Sequence, residues 1–313
     1  MINIASCSVV IPVYNSQGAL PILIGQLAEI LPGIVNEFEI ILVNDGSQDQ
    51  SWQVIEKLCH EYEYIRAYDL ARNFGQHNAL LCGIRQAKYK IIVTMDDDLQ
   101  HPPNEITKLL DTLENGYDVV YGAPNHETHG LFRDFSSQLT KWALRITTHI
   151  PYTDKISAFR AFKTTLRDLF ADYSNTYVSI DVLLSWGTTK IGFIDVEHKK
   201  RQIGESQYTF FKLLRHALNL VLGFSLIPLR IASFMGFVFT FFGFIILVYV
   251  VLRYLVQGGS IPGFSFLASS LAIFSGIILF VLGIMGEYLA RLYSRTMARP
   301  PYMISKQIGK IDE

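Results

Sequence analysis

Residues 231–252 form an uncharged, apolar run of about 22 residues, enough for one helix to cross a bilayer core. A second run follows at 261–286, and between 231 and 286 the only charged side chain is Arg253. A helix that is apolar on every side must be covered by protein or by lipid. A buried hairpin of a soluble protein is the alternative, but two such runs in succession exceed ordinary core helices. The link Gln257-Gly-Gly-Ser-Ile-Pro-Gly263 is short and rich in turn formers, which predicts a hairpin. Lys199, Lys200, Arg201, Lys212, Arg215 and Arg230 precede the first run, and Arg291, Arg295, Arg299, Lys306 and Lys310 follow the second. The positive-inside rule therefore predicts both ends on the cytosolic side. The expected boundaries are a first membrane helix at 231–256, a second at 261–288 and a cytosolic tail at 289–313. Residues 205–230 are apolar with interspersed lysine and arginine, and are expected to lie along the membrane surface.

Outside this hairpin the chain is ordinarily polar, so the 50% hydrophobic content reflects one region. The net charge of −1 offers no basic excess for nucleic acid. Cys7, Cys59 and Cys82 are odd in number and lack metal-like spacing, which suits a reducing compartment and argues against a disulfide framework or a zinc site. Met1 is followed by Ile-Asn-Ile-Ala-Ser, with no basic stretch before an apolar core, so no signal peptide is expected. Residues 1–204 are expected to form a cytosolic domain.

That domain alternates short apolar runs with amphipathic segments. Strands are predicted at 8–13, 38–44, 65–69, 90–95 and 118–121, with helices at 19–31, 52–62, 78–87 and 103–115. Such alternation indicates a mainly parallel sheet covered by helices on both faces. At 130–149 Phe132, Phe135, Leu139, Trp142 and Ile146 form a helical stripe beside a mostly basic edge of Arg133, Ser137, Lys141 and Arg145. The edge reads either as a solvated face or as an anion site.

Chemistry concentrates where parallel strands end, the edge at which open α/β sheets bind ligands. Met95-Asp96-Asp97-Asp98-Leu99-Gln100 follows one strand. In an extended chain Asp96, Asp98 and Gln100 share one side. Two carboxylates and an amide oxygen suit Mg²⁺ or Mn²⁺, and a hydrated loop capping the next helix is the alternative. Asp97 points the other way on that reading and is expected to tolerate replacement. Pro12-Val13-Tyr14-Asn15 and Asn44-Asp45-Gly46-Ser47 follow two other strands, and Arg72-Asn73 a third. Each alone is an ordinary turn, but together they offer a ring, amides and a carboxylate to a nucleoside. Neither GxGxxG nor a Walker loop occurs, which counts against dinucleotide enzymes and P-loop ATPases.

SVVIPVYNSQ (8–17), EIILVNDGSQD (39–49), ARNFGQHNALLCG (71–83) and IIVTMDDDLQHPP (91–103) resemble the ordered motifs of glycosyltransferase family 2. The tail, with RQIGESQY (201–208), FSLIPLR (224–230), Gly286-Glu-Tyr288 and Ala298-Arg-Pro-Pro301, resembles the polyprenyl-phosphate branch of that family. The resemblance covers nearly the whole chain. It implies a GT-A, Rossmann-like nucleotide-sugar domain with amphipathic interface helices and a two-helix transmembrane hairpin, in a cytoplasmic membrane. The implied activity is inverting, metal-dependent transfer of a sugar from a nucleotide sugar, a UDP-sugar favoured, to a polyprenyl phosphate. A homo-oligomer, a tetramer in relatives, is also implied.

The same resemblance implies roles. Pro12, Tyr14, Asn15, Asp45, Arg72 and Asn73 fall on donor-nucleotide positions, and Asp96, Asp98 and Gln100 on metal and diphosphate positions. Arg133 and Ser137 match a pair that holds the acceptor phosphate. Arg201 falls on a loop that closes over the diphosphate, and Ser206 and Tyr208 travel with it. Two positions depart from the pattern: Pro124 stands where many relatives have arginine, and Ala158 where many have aspartate. A phosphate acceptor needs no deprotonation, so Asp181, in an apolar helical stretch, reads as a buried hydrogen-bonded residue rather than a base. A catalytically silent scaffold and a processive polysaccharide synthase are the alternatives. The synthase usually has more membrane helices and a Gln-x-x-Arg-Trp motif, absent here.

Overall fold

Side chains alternate between the two faces of a strand, and both faces are apolar here, so both need cover. In the computed structural model the described residues are 4–124, 155–175, 177–199, 218–219, 221–257 and 263–309. The amino-terminal part runs β1 (Ile4–Val13), α1 (Leu20–Ile30), β2 (Val35–Asn44), α2 (Ser51–Glu61), β3 (Ile65–Leu70), α3 (Gln76–Gln86), β4 (Ile91–Thr94) and α4 (Ile106–Glu114). Then come β5 (Val119–Pro124), β6 (Arg160–Lys163), α5 (Ile180–Gly187) and β7 (Ile191–Val196). On one face Val9 and Ile11 of β1 join Leu23 and Leu27 of α1, Ile55 of α2 and Leu109 of α4. On the other, Val10, Ile41 and Val43 join Leu80, Leu81 and Ile84 of α3 and Ile180 and Leu184 of α5.

The strand order is β7-β5-β6-β4-β1-β2-β3-β8. β1 to β4 are mutually parallel and β5 pairs parallel with β7, whereas β6 and β8 run antiparallel to their neighbours. The sheet is therefore mixed. β8 (Ile304–Ile308) revises the tail expected at 289–313, because it adds to β3 as an edge strand, with Ala67 opposite Ile308 and Leu70 opposite Ile304. Ile304 and Ile308 pack at the core margins, while Lys306 and Gln307 are exposed, a charged edge that discourages further pairing. By compactness, residues 1–217 and 298–313 form one unit and 218–297 a second. The three cysteines are free.

The second unit holds α6 (Ile227–Gln257) and α7 (Phe264–Thr296). Two stretches, Ile227–Val256 and Ile273–Thr296, are long and apolar enough to cross a membrane, and neither is buried by the described protein. Phe237 is 70% exposed and Leu255 72%, values that a soluble core helix does not show. α6 begins four residues before the expected 231, and α7 runs on to Thr296 instead of 288. The start follows local chemistry. The chain breaks helix at Ser225 and Leu226, and the Ser225 hydroxyl accepts the Ile227 N–H at 3.1 Å. Pro228 then sits in the first turn, where its missing N–H costs nothing. The interfacial helix expected at 130–149, and most of the surface helix expected at 205–230, lie outside the described residues.

Candidate active site

Four strand-to-helix turns meet at the carboxyl edge of β1 to β4, and polar side chains fasten each to the next. The β1 turn is joined to the β2 turn repeatedly: the Asn15 N–H donates to Ser47 Oγ at 3.0 Å, and Asn15 Oδ1 accepts the Gln48 N–H at 2.8 Å. The Ser16 N–H donates to Ser51 Oγ at 2.8 Å, and the Gln17 N–H to Asp49 Oδ2 at 3.2 Å. Asn15 adopts φ 54°, the left-handed conformation that asparagine tolerates.

Asp45 joins the β2 turn to the β3 turn. Its two oxygens accept the N–H groups of Phe74, at 2.7 Å, and Gly75, at 2.9 Å, just ahead of α3. Burial raises the carboxyl above its usual range, and those two hydrogen bonds oppose the rise. Gly46 makes the approach possible. At φ 64°, a Cβ there would meet the backbone nitrogen of Asn73 at 2.5 Å. Arg72 is exposed, with its guanidinium 4.6 Å from the centre of the Phe74 ring, and Asn73 beside it is also exposed.

The acidic triplet divides by role. Asp96 and Asp98 are half-buried, and Asp97 is buried. Gln76, at the start of α3, donates from Nε2 to Asp96 Oδ1 at 2.6 Å. Asp98 Oδ1 accepts the Gln100 N–H at 3.1 Å, closing a turn. Asp97 Oδ2 accepts the Tyr14 N–H at 3.1 Å. The extended alternation expected across this motif does not hold, because β4 ends at Thr94 and Leu99 adopts φ 61°. Gln100 takes another contact: its carbonyl accepts the Lys199 N–H at 2.8 Å. Asp97 is buried and anchors the Tyr14 turn, a contact the sequence reading did not assign to it.

Tyr14, Asn15, Asp45, Arg72, Asn73, Asp96, Asp98 and Gln100 thus share one sheet edge, and Pro12 lies buried within β1. Arg133, Ser137, Arg201, Ser206 and Tyr208 lie outside the described residues. The residues that sequence reasoning missed are Gln76, Ser16 and Ser51, and the contacts of Asp97, Gly46 and Ser47 were not read. The repeated small polar residues after each strand were the available signal, since they build turns through side-chain-to-backbone bonds.

The donor set fits a hard divalent cation in one particular way. Asp96 and Asp98 offer carboxylate oxygens, but among the described residues no group of three or more His, Cys, Asp or Glu side chains could hold a metal ion. The protein would supply part of a coordination shell, and a bound phosphate and water the rest, as Mg²⁺ and Mn²⁺ commonly require.

Asp181 lies beneath this edge, in the first turn of α5. It pairs with buried Arg160 and accepts the Tyr121 hydroxyl at 3.1 Å. Arg160 also donates from Nε to Thr94 Oγ1 at 3.0 Å. The Tyr121 hydroxyl is held well above its usual range by burial and by the Asp181 charge. The expectation of a buried, hydrogen-bonded Asp181 agrees with these contacts. A cavity of about 510 Å³ lined by Lys88, Tyr89, Lys90 and Lys163 lies at the opposite edge of the sheet and includes none of the turn residues.

The family model "Glycosyl transferase family 2" matches residues 8–173. Undecaprenyl-phosphate 4-deoxy-4-formamido-L-arabinose transferases from Photorhabdus laumondii and Yersinia enterocolitica are each 34% identical over 310 residues, covering 98% of this chain and 95% of theirs. Among solved structures, glucosyl-3-phosphoglycerate synthase from Mycobacterium tuberculosis, in complex with Mn²⁺, uridine diphosphate and glucosyl-3-phosphoglycerate, is similar with a TM-score of 0.52 and 15% identity. That match covers 70% of this chain and 78% of the synthase, a likeness of fold.

Proposed function

The chain belongs to glycosyl transferase family 2, and from that premise we propose that it transfers a sugar from a UDP-sugar to undecaprenyl phosphate, with inversion and with a divalent metal, at the cytosolic face of a membrane. One observation carries this reading. The likeness to undecaprenyl-phosphate transferases spans 98% of the chain, through both apolar helices and the tail, and is not confined to the nucleotide domain.

Tyr14, Asn15, Asp45, Arg72 and Asn73 would receive the nucleoside, on a surface made stiff by the bonds between the turns. Asp96 and Asp98, with Gln100 nearby, would hold Mg²⁺ or Mn²⁺. When bound, the ion would supply positive charge to the nucleoside diphosphate as it leaves, the task such ions perform in phosphoryl-containing sites. Arg133, Ser137 and Ser206 would hold the acceptor phosphate, and Arg201 would close over the diphosphate. A phosphate monoester has its second pKa near about 6, so it is already an anionic nucleophile at neutrality. No side chain need take a proton from it, which suits an Asp181 already paired with Arg160.

The test is transfer by the full chain in membranes, with undecaprenyl phosphate and a panel of nucleotide sugars, reading the lipid product by mass spectrometry and its anomeric linkage by NMR. A β-linked lipid-phosphate sugar from an α-linked donor, lost in EDTA and restored by Mn²⁺, is expected. No lipid product from any donor overturns the reading, and full activity in EDTA overturns the metal. Arg133→Ala should raise KM for the lipid phosphate more than for the donor. Orientation is tested by labelling Gly258→Cys from outside and Ser305→Cys from inside, with the native cysteines replaced. Labelling of Ser305→Cys from outside refutes the cytosolic assignment.

A further inference from the structure

Asp97 stands between the two carboxylates assigned to the metal, yet it faces the other way. It is buried, and its Oδ2 accepts the Tyr14 N–H at 3.1 Å. It forms no ion pair among the described residues. A buried carboxylate with no cation beside it costs stability unless hydrogen bonds hold it. Here the Tyr14 N–H, in the segment that follows β1, is the donor that reaches it from a neighbouring turn. That turn is in turn fixed to the start of α2 through Ser16 and Ser51.

The arrangement joins two halves of one site. Tyr14 and Asn15 lie on the part assigned to the nucleoside, and Asp96 and Asp98 on the part assigned to the diphosphate. β1 and β4 are adjacent and parallel, with Val10 opposite Thr94, so their end turns are neighbours. Past Val10 and Thr94 the ladder between these strands stops, and the Asp97–Tyr14 bond is the side-chain link that carries the pairing onward.

We propose that Asp97 is a positioning residue for the donor: its carboxylate sets the spacing between the Tyr14 turn and the Asp96–Asp98 turn, and so the fit of a nucleoside diphosphate across them. This rests on the reading of the edge as a nucleotide-sugar site. A side chain that only stabilised the fold would move thermal stability alone. A side chain that sets this spacing moves donor affinity, and does so with or without metal.

The experiment measures UDP binding to the full chain in detergent by calorimetry, with and without Mn²⁺, together with donor KM, kcat and Tm. Asp97→Ala removes the acceptor for Tyr14 and is expected to weaken UDP binding and raise donor KM by about tenfold or more, equally with and without Mn²⁺, with kcat at saturation within about threefold of wild type. Asp97→Asn keeps an oxygen for the Tyr14 N–H and should stay within about threefold of wild type in both measures. Asp96→Ala provides the contrast, since it should abolish the gain in affinity that Mn²⁺ gives. Should Asp97→Ala not fold, Asp97→Ser, with a side chain too short to reach Tyr14, takes its place. The inference is overturned if the Ala or Ser variant binds UDP as wild type does, if only Tm moves, or if Asp97→Asn fails as badly as Asp97→Ala. Wild type that binds none of UDP, GDP or dTDP instead overturns the nucleotide-sugar reading itself.

Discussion

Toward the amino-terminal edge of the sheet Glu39 is buried with a cation against it, whereas at the carboxyl edge Asp45 and Asp97 are buried with hydrogen-bond donors but no ion-pair partner among the described residues. Glu39 accepts Arg66 Nε at 2.8 Å, the Ser8 hydroxyl at 2.6 Å and the Lys88 N–H at 2.9 Å. Its charge is answered inside the protein. At the other edge negative charge is gathered on Asp45, Asp96, Asp97 and Asp98, and the bonds that hold Asp45 and Asp97 come from neighbouring turns. One sheet therefore carries an edge where a buried carboxylate is answered by a cation of the protein and an edge where buried carboxylates are held by hydrogen bonds, the edge the proposed function assigns to a metal and a nucleotide. In the proposed function the first serves stability and the second serves transfer.

Substitutions can break or sharpen this contrast. The largest effect is expected from Asp96→Ala or Asp98→Ala, each lowering transfer by on the order of 10²-fold or more, as loss of a directed charge in a reacting site typically does. Tm should stay near that of wild type, and a large fall in Tm would move these residues to the structural side. Glu39→Ala should behave in the opposite way. It leaves Arg66 buried and unpaired, a change that costs about 3–5 kcal/mol in comparable cases. Chemical denaturation would register the loss, and turnover per folded molecule should be retained. Poor turnover with intact stability would erase the distinction between the edges.

Asp181→Asn probes a completed pair lying just below the functional edge. Asparagine still accepts from Tyr121 but withdraws the charge facing Arg160, so a loss of about 1–3 kcal/mol is expected. Transfer should remain within about tenfold, below the range for a true general base. A thousandfold fall in kcat with unchanged Tm would make Asp181 a participant in the chemistry. The smallest effect concerns pH. Burial, and then the neighbouring His198, lower the His101 pKa from 6.5 to about 4. The unfolded chain takes up that proton first, so stability is lost as pH falls from about 6.5 to about 4. Asp97, raised by burial to about 6, acts with the opposite sign, because the folded state takes up its proton first as pH falls. The two contributions offset each other between about pH 6 and pH 4. His101→Phe should leave only the second, so its Tm should hold up better than that of wild type toward pH 4. Parallel profiles for the two chains would refute this.

Much of the sheet was legible because buried parallel strands are written as short apolar runs. The carboxyl ends of β2, β3 and β4 lie within one residue of expectation. β8 was not legible. Its sequence, Ile-Ser-Lys-Gln-Ile, is half polar, and its partner β3 lies far upstream, a pairing no local pattern reveals. β6 was missed for the same reason, being four residues inserted antiparallel between β4 and β5. At the candidate site, the residue types at the strand ends fall on one sheet edge, as the alternation of strands and helices implied. That Asp97 faces away from Asp96 and Asp98 was readable from parity, but its bond to the Tyr14 turn was not, because that turn lies 83 residues upstream.

The return of the chain into β8 changes how a soluble form of this protein should be made. A stop codon after residue 217 would remove the strand that covers β3. It would expose a ladder edge along Ala67–Leu70 and strip the Ala71 N–H of its bond to the Met303 carbonyl, one residue before Arg72. Open edges of that kind recruit other chains. The apolar helices are better treated as an insertion within a discontinuous domain, so the workable design is an excision: residues 1–217 joined by a flexible linker to 298–313.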